Sequence, residues 1–303
     1  MSFKKLYILC NISLLLAAMI SGLSFVAQKA GMDYVGPFTF NVMRSLIGSL
    51  SLLPVIFLQD KISKTQMTKE ESKALWKGGF LAGLVLFIAF SINQYCMIFA
   101  PAGKAGFITS LYVLFVPVIA VFMKQKLLPN VQVSILLAFV GLYLLCAKGT
   151  MQFEIHDILL LVSAFFFALH IIVVSYYSKR TSAFKLSGLQ FLVAGTLALP
   201  IMLFYEHPAL AAILAGWKPI LFAGIVVTAV AYTLQILGHK ATHPVLATLI
   251  LSSEAVFAVF GGMIFLGETL TLREVSGCVF MIAAIILSQL PFNSKKQSDD
   301  LSI

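Results

Sequence analysis

Apolar residues run along this chain in long blocks separated by short polar breaks. Ten blocks are legible, at 6–30, 37–58, 75–99, 103–123, 131–147, 156–177, 185–205, 217–238, 244–266 and 272–290. Each approaches the about 20 mostly apolar residues that a helix needs to cross a bilayer. Backbone groups at that depth find no water, so only helices or the strands of a closed barrel can span. Barrel strands alternate apolar and polar residues over about ten positions. These blocks are longer and apolar all round. The pattern therefore predicts an all-α integral membrane protein of ten transmembrane helices. The first block follows Lys4 and Lys5 as a signal peptide would. It runs on to Ala30, past the about 7–15 residues of a signal core, and reads as a retained first helix.

Composition agrees. Of 303 residues, 60% are hydrophobic and 11% charged, against about 25% charged in soluble domains. Ten spans leave no room for a separate soluble domain. The net charge of +9 does not point to nucleic acid, because the cations sit in short loops, where they set topology. Loops on the side of the N-terminus carry fifteen Lys and Arg, from Lys4 to Lys296. The other side carries five: Lys29, Lys104, Lys148, Lys218 and Arg273. The excess places both termini in the cytoplasm, as an even helix count requires. The polar tail at 291–303 is then cytoplasmic and lacks the apolar content to fold. The expected surroundings are the lipid bilayer of the cytoplasmic (inner) membrane, with a small-molecule substrate as partner and a monomer or homodimer as assembly.

The chain repeats itself. Arg44-Ser-Leu-Ile-Gly-Ser-Leu-Ser-Leu-Leu-Pro54 matches Gln190-Phe-Leu-Val-Ala-Gly-Thr-Leu-Ala-Leu-Pro200 at an offset of 146, and Ser24 then matches His170. Thr109 to Pro117 matches Ala247 to Ala255 at an offset of 138. Each half holds five helices. Five is odd, so the second half enters the membrane from the opposite side, an inverted repeat of the kind common in secondary transporters.

Polar residues at bilayer depth are costly, about 2.5–3.5 kcal/mol for a charge on insertion scales, and belong on a cavity or a partner. Arg44, two turns into the second helix, suits an anionic group such as a carboxylate; its alternatives are to snorkel to the interface or to pair with a helix terminus. Glu254, the carboxylate within the ninth helix, suits a proton or a cationic group, or else holds neighbouring helices by hydrogen bonds. His170 can titrate near neutral pH, or stay neutral in a hydrogen bond. Ser24, Gln28, Asn93, Gln94, Tyr112, Gln190, Tyr232 and Gln235 recur at similar depth, several in matching helices of the two halves. They are candidates to line a small-molecule site or to glue helices. Gly79 and Gly83 form a small-xxx-small pair, and Pro117 offers a kink in the fourth helix.

Soluble-enzyme motifs are absent. No Gly-x-x-x-x-Gly-Lys-Ser/Thr occurs, so this chain carries no ATP drive. No catalytic residue or cofactor is expected. Cys10, Cys96, Cys146 and Cys278 are widely spaced within apolar runs and read as small hydrophobes. His239 and His243 lack the glutamate of a zinc motif, and no metal site is expected.

Certain stretches carry a family resemblance. They are Phe25-Val-Ala-Gln-Lys-Ala-Gly-Met32, Val35-Gly-Pro-Phe-Thr-Phe40 with Arg44, Ala102-Gly-Lys-Ala-Gly-Phe-Ile-Thr109 through Pro117, Ala231-Tyr-Thr-Leu-Gln235, and Leu249 to Phe257 with Phe265-Leu-Gly-Glu268. The chain resembles the drug/metabolite transporter superfamily, EamA type, over residues 10–290. The resemblance implies two inverted five-helix EamA repeats, at 6–147 and 156–290, around a central cavity. It also implies a secondary active transporter, most often an exporter, of small metabolites such as amino acids or drugs, commonly linked to protons. A lipid flippase of the same membrane is the alternative reading. One departure stands out: the family's Glu-Pro pair is Glu254-Ala255 here, which predicts a straighter ninth helix.

Overall fold

A computed structural model describes residues 3–63, 67–100, 102–125, 127–146, 154–266 and 271–290. The expectations for Lys148 and for the tail at 291–303 lie outside the described residues. No strand occurs among those described.

The helices are α1 (Phe3–Gly31), α2 (Pro37–Ser63), α3 (Lys69–Cys96), α4 (Ala102–Ser110), α5 (Tyr112–Phe122), α6 (Pro129–Cys146) and α7 (Ile155–Ser178). They continue as α8 (Ala183–Ile201), α9 (Leu210–Ala215), α10 (Trp217–Leu221), α11 (Tyr232–Gly238), α12 (Pro244–Leu251), α13 (Glu254–Leu266) and α14 (Leu272–Gln289). A π-helical turn, Met202–Glu206, extends α8, and a π-helical segment, Phe222–Ala231, joins α10 to α11. Among the described residues eight helical spans are long and apolar enough to cross a membrane. Two further apolar stretches, Pro129–Leu145 and Pro244–Phe260, are shorter. Large apolar side chains stand on the outside: Phe122 is 83% exposed and Phe204 75%. A soluble monomer rarely shows a continuous surface of this kind, whereas hydrocarbon solvates it.

The helix starts follow capping chemistry. Thr68 accepts from the Glu71 amide while Glu71 accepts from the Thr68 amide, and Thr271 and Glu274 repeat the arrangement at α14. Each box satisfies amides that the first helical turn leaves open.

Packing brings the halves together. The main pairs are α2 with α8, α3 with α7 and α8, and α6 with α14. The first and last helices meet at the end that bears the chain termini, where Tyr7 donates to Gln289 Oε1 at 2.7 Å. Gly79 and Gly83 do what small residues at that spacing allow. A Cβ at Gly79 would overlap Leu189, and one at Gly83 would overlap the Gln190 carbonyl and Val193. Through this contact α3 seats α8 in its register.

Three expected single helices are divided. The fourth breaks at Leu111, between α4 and α5, six residues before Pro117 rather than at it. The eighth changes to π geometry. The ninth, expected to be straighter without its proline, breaks at Ser252–Ser253, and Glu254 opens α13 instead of lying mid-helix. Ser252 Oγ donates to the Leu249 carbonyl at 2.8 Å and Ser253 Oγ to the Ile250 carbonyl at 2.6 Å. Serine back-bonding of this kind gives the backbone an alternative to the helical ladder, so proline is not needed to interrupt it.

Candidate functional site

Between the halves lies a small cavity of about 70 Å³. That exceeds the about 10–15 Å³ that a cavity needs to admit a water. Its walls come from both halves: α1, α2, α3, α4 and α5 on one side, and α7, the π-helical segment, α11, α12 and α13 on the other.

Arg44 reaches this cavity from α2. Its Nε lies 3.3 Å from Thr228 Oγ1, and its guanidinium carbon stands 4.2 Å from the centroid of the Phe90 ring. The residue is 2% exposed, and among the described residues it forms no ion pair. The expectation that it snorkels is therefore set aside. Its charge is held by a hydroxyl and an aromatic face, both weaker partners than a carboxylate.

Glu254 faces the same cavity from the start of α13. Ser110 Oγ and Tyr112 Oη, both from the first half, donate to its Oε1 at 3.1 Å each. The amides of a helix N-terminus also favour negative charge there. At the start of α13, a Cβ at Gly22 would overlap the Glu254 carbonyl. Glycine thus lets α1 touch the backbone that carries the carboxylate.

The remaining lining combines polar and aromatic side chains. Gln28 donates to Ser24 Oγ at 3.0 Å, and Asn93 donates to Thr109 Oγ1 at 2.6 Å. His170 Nε2 lies 3.0 Å from Gln190 Oε1. Tyr232 crosses edge-on to Phe90 and Phe191, at centroid distances of 5.8 and 5.0 Å. Phe25 and Phe167 complete the apolar wall.

Nine of the eleven candidates line the cavity: Ser24, Gln28, Arg44, Asn93, Tyr112, His170, Tyr232, Gln235 and Glu254. Gln190 and Gln94 do not. Gln190 stands behind His170 and orients its ring. Gln94 donates to the Gln28 carbonyl at 3.4 Å and ties α3 to α1. Nothing in the sequence marks Ser21, Thr109, Phe25, Phe90 or Phe167 as lining, nor Thr228 and Ser110 as the partners of the two charges. A hydroxyl or phenyl ring in an apolar span carries no mark of the side it faces. Among the described residues no group of His, Cys, Asp and Glu could hold a metal ion.

The cavity offers one cation, one carboxylate and several hydrogen-bonding groups beside aromatic side chains, the equipment of a small-molecule binding site. An uncharacterized transporter of Archaeoglobus fulgidus is 31% identical over 292 residues, covering 95% of this chain and 87% of its own. One from Clostridium kluyveri is 26% identical, covering 93% and 90%, and the uncharacterized transporter YoaV of Bacillus subtilis is 22% identical, covering 92% and 96%. A crystal structure with 14% identity superposes at a TM-score of 0.76 over 92% of this chain and 96% of that one, a likeness of fold. The model of the EamA-like transporter family matches residues 8–147 and again 155–290, and with both halves matched the chain belongs to that family.

Proposed function

We propose that this protein is a secondary active transporter that exports small metabolites, of the amino acid or drug class, across the cytoplasmic membrane. In this reading ten helices form two inverted five-helix repeats, 6–147 and 156–290, with both termini in the cytoplasm. The central cavity opens to each side in turn, and proton movement drives export. The observation that carries the reading is the meeting of Arg44 and Glu254. One comes from each half, both are buried, and both face one cavity without pairing to each other. Unpaired charges at this depth are expensive, and a solute that brings the opposite charges to both offsets that cost.

Arg44 engages the solute's anionic group. Glu254 takes its cationic group or a proton, and His170 is the second candidate for the proton. Ser24, Gln28, Asn93, Tyr112, Tyr232 and Gln235 orient the remainder. Gln94 and Gln190 support the lining from behind.

Counterflow in proteoliposomes tests this. Purified protein loaded with a mixture of amino acids should exchange radiolabelled amino acids in a saturable manner. Arg44→Ala and Glu254→Gln should each reduce exchange at least tenfold. Exchange unchanged in both variants would remove these residues from the site. Movement of labelled phospholipid alone would replace the carrier with a flippase.

A further inference from the structure

The pair α2 and α8 is fastened at both ends, and the two fastenings are related by the internal repeat. At the end away from the termini, the Glu206 carboxylate, just past α8, caps the start of α2. It accepts from the Phe38 amide at 2.9 Å, from the Thr39 amide at 2.7 Å and from Thr39 Oγ1 at 2.6 Å. A Cβ at Gly36 would overlap that carboxylate, so glycine is what admits it. At the other end the roles reverse. Asp60 near the end of α2 pairs with Lys185 at the start of α8, 2.7 Å apart. Beside it, Ser182 Oγ donates to Gln59 Oε1 at 2.8 Å.

The 146-residue offset carries Asp60 onto Glu206, Thr39 onto Lys185 and Gly36 onto Ser182. In each half an acidic residue near the end of one helix holds the start of its counterpart. The chemistry differs, a helix cap at one face and an ion pair at the other, but the positions correspond. Between the fastenings the helices touch closely. Ser49 Oγ donates to the Gly188 carbonyl at 2.9 Å, and a Cβ at Gly195 would crowd Leu46 and Ser45.

We infer that α2 and α8 form a fixed wall, held shut at both membrane faces by the Glu206 and Asp60 clamps, and that access alternates by movement of the other helices against it. Glu206 and Asp60 are thus positioning residues. They hold the register of the helices that present Arg44 and, through Gln190, His170 to the cavity. A carrier whose helices all rocked would have to open one clamp in each state, yet both are closed together here. The inference rests on the transport reading for its consequence, though not for its geometry.

The test locks the wall. In a cysteine-free background, Thr39→Cys with Glu206→Cys, and Asp60→Cys with Lys185→Cys, are joined by a short bifunctional thiol reagent, singly and together. Counterflow of labelled amino acids after double cross-linking should stay above half the value of the same variant before treatment. A fall below half overturns the fixed wall. Pulsed electron paramagnetic resonance answers without transport. Spin labels at Asp33 and Phe204, and at Ile62 and Lys179, should each give one narrow distance at pH 5 and pH 8, with and without the amino acid mixture. Two populations at either end overturn the inference. If the wild type moves no amino acid in the mixture, the proposed substrate class fails while the distances still decide the wall.

Discussion

At the level of single residues, the account turns on a guanidinium held by poor partners. Thr228 and the Phe90 ring bring no opposite charge, so the desolvated guanidinium is only partly compensated. Even a buried ion pair can be replaced by apolar groups of similar volume without loss of stability, and a buried charge without an opposite partner is costlier still. Arg44→Met should therefore leave thermal stability within about 1 kcal/mol of wild type, or raise it, while counterflow drops at least tenfold. A loss of stability in step with the loss of flux would make Arg44 a structural residue. Both charges were legible in the sequence, because a charge within an apolar block needs a reason. Their partners were not. Ser110, Thr228 and Phe90 are ordinary residues of apolar spans, and only packing brings them to Glu254 and Arg44. Gln94 and Gln190 were legible as deep polar residues, but depth along a helix does not fix the direction a side chain takes around it.

At the level of elements, length and periodicity located the apolar blocks, but not their breaks. Proline was the visible signal for a bend. The interruptions lie instead at Leu111 and at Ser252–Ser253; at the second, the two serine hydroxyls donate to the Leu249 and Ile250 carbonyls. The break before Glu254 puts the carboxylate at a helix start and turns it toward Ser110 and Tyr112. Ser252→Ala with Ser253→Ala should cost about 1 kcal/mol of thermal stability, the scale of side-chain hydrogen bonds within membranes, yet lower flux at least fivefold by re-aiming Glu254. Unchanged flux would make the break incidental. The glycine contact between α3 and α8 is a packing matter alone. Gly83→Val should destabilise by about 1–3 kcal/mol through overpacking, measured as the detergent-solubilised melting transition, and an unaltered transition would refute the close contact. The π-helical segment that carries Thr228 has no mark in the sequence, since π geometry depends on one residue's excess over the helical register.

At the level of the whole molecule, the charge asymmetry and the repeat lead to the expectation of two oppositely threaded halves, and the family model matches the chain twice, at 8–147 and 155–290. The cavity between them draws its lining from both. That arrangement follows from solvent: hydrocarbon takes the outer apolar faces, so polar groups collect where the halves meet. The central claim is that one cavity is reached from both sides of the membrane, alternately. Ser24→Cys, in the cavity wall and in an otherwise cysteine-free protein, tests it most directly with a membrane-impermeant thiol reagent applied to right-side-out and to inside-out vesicles. The account predicts modification from either face, slowed from both by the amino acid mixture. Modification from one face only, whatever the solute or pH, would contradict it.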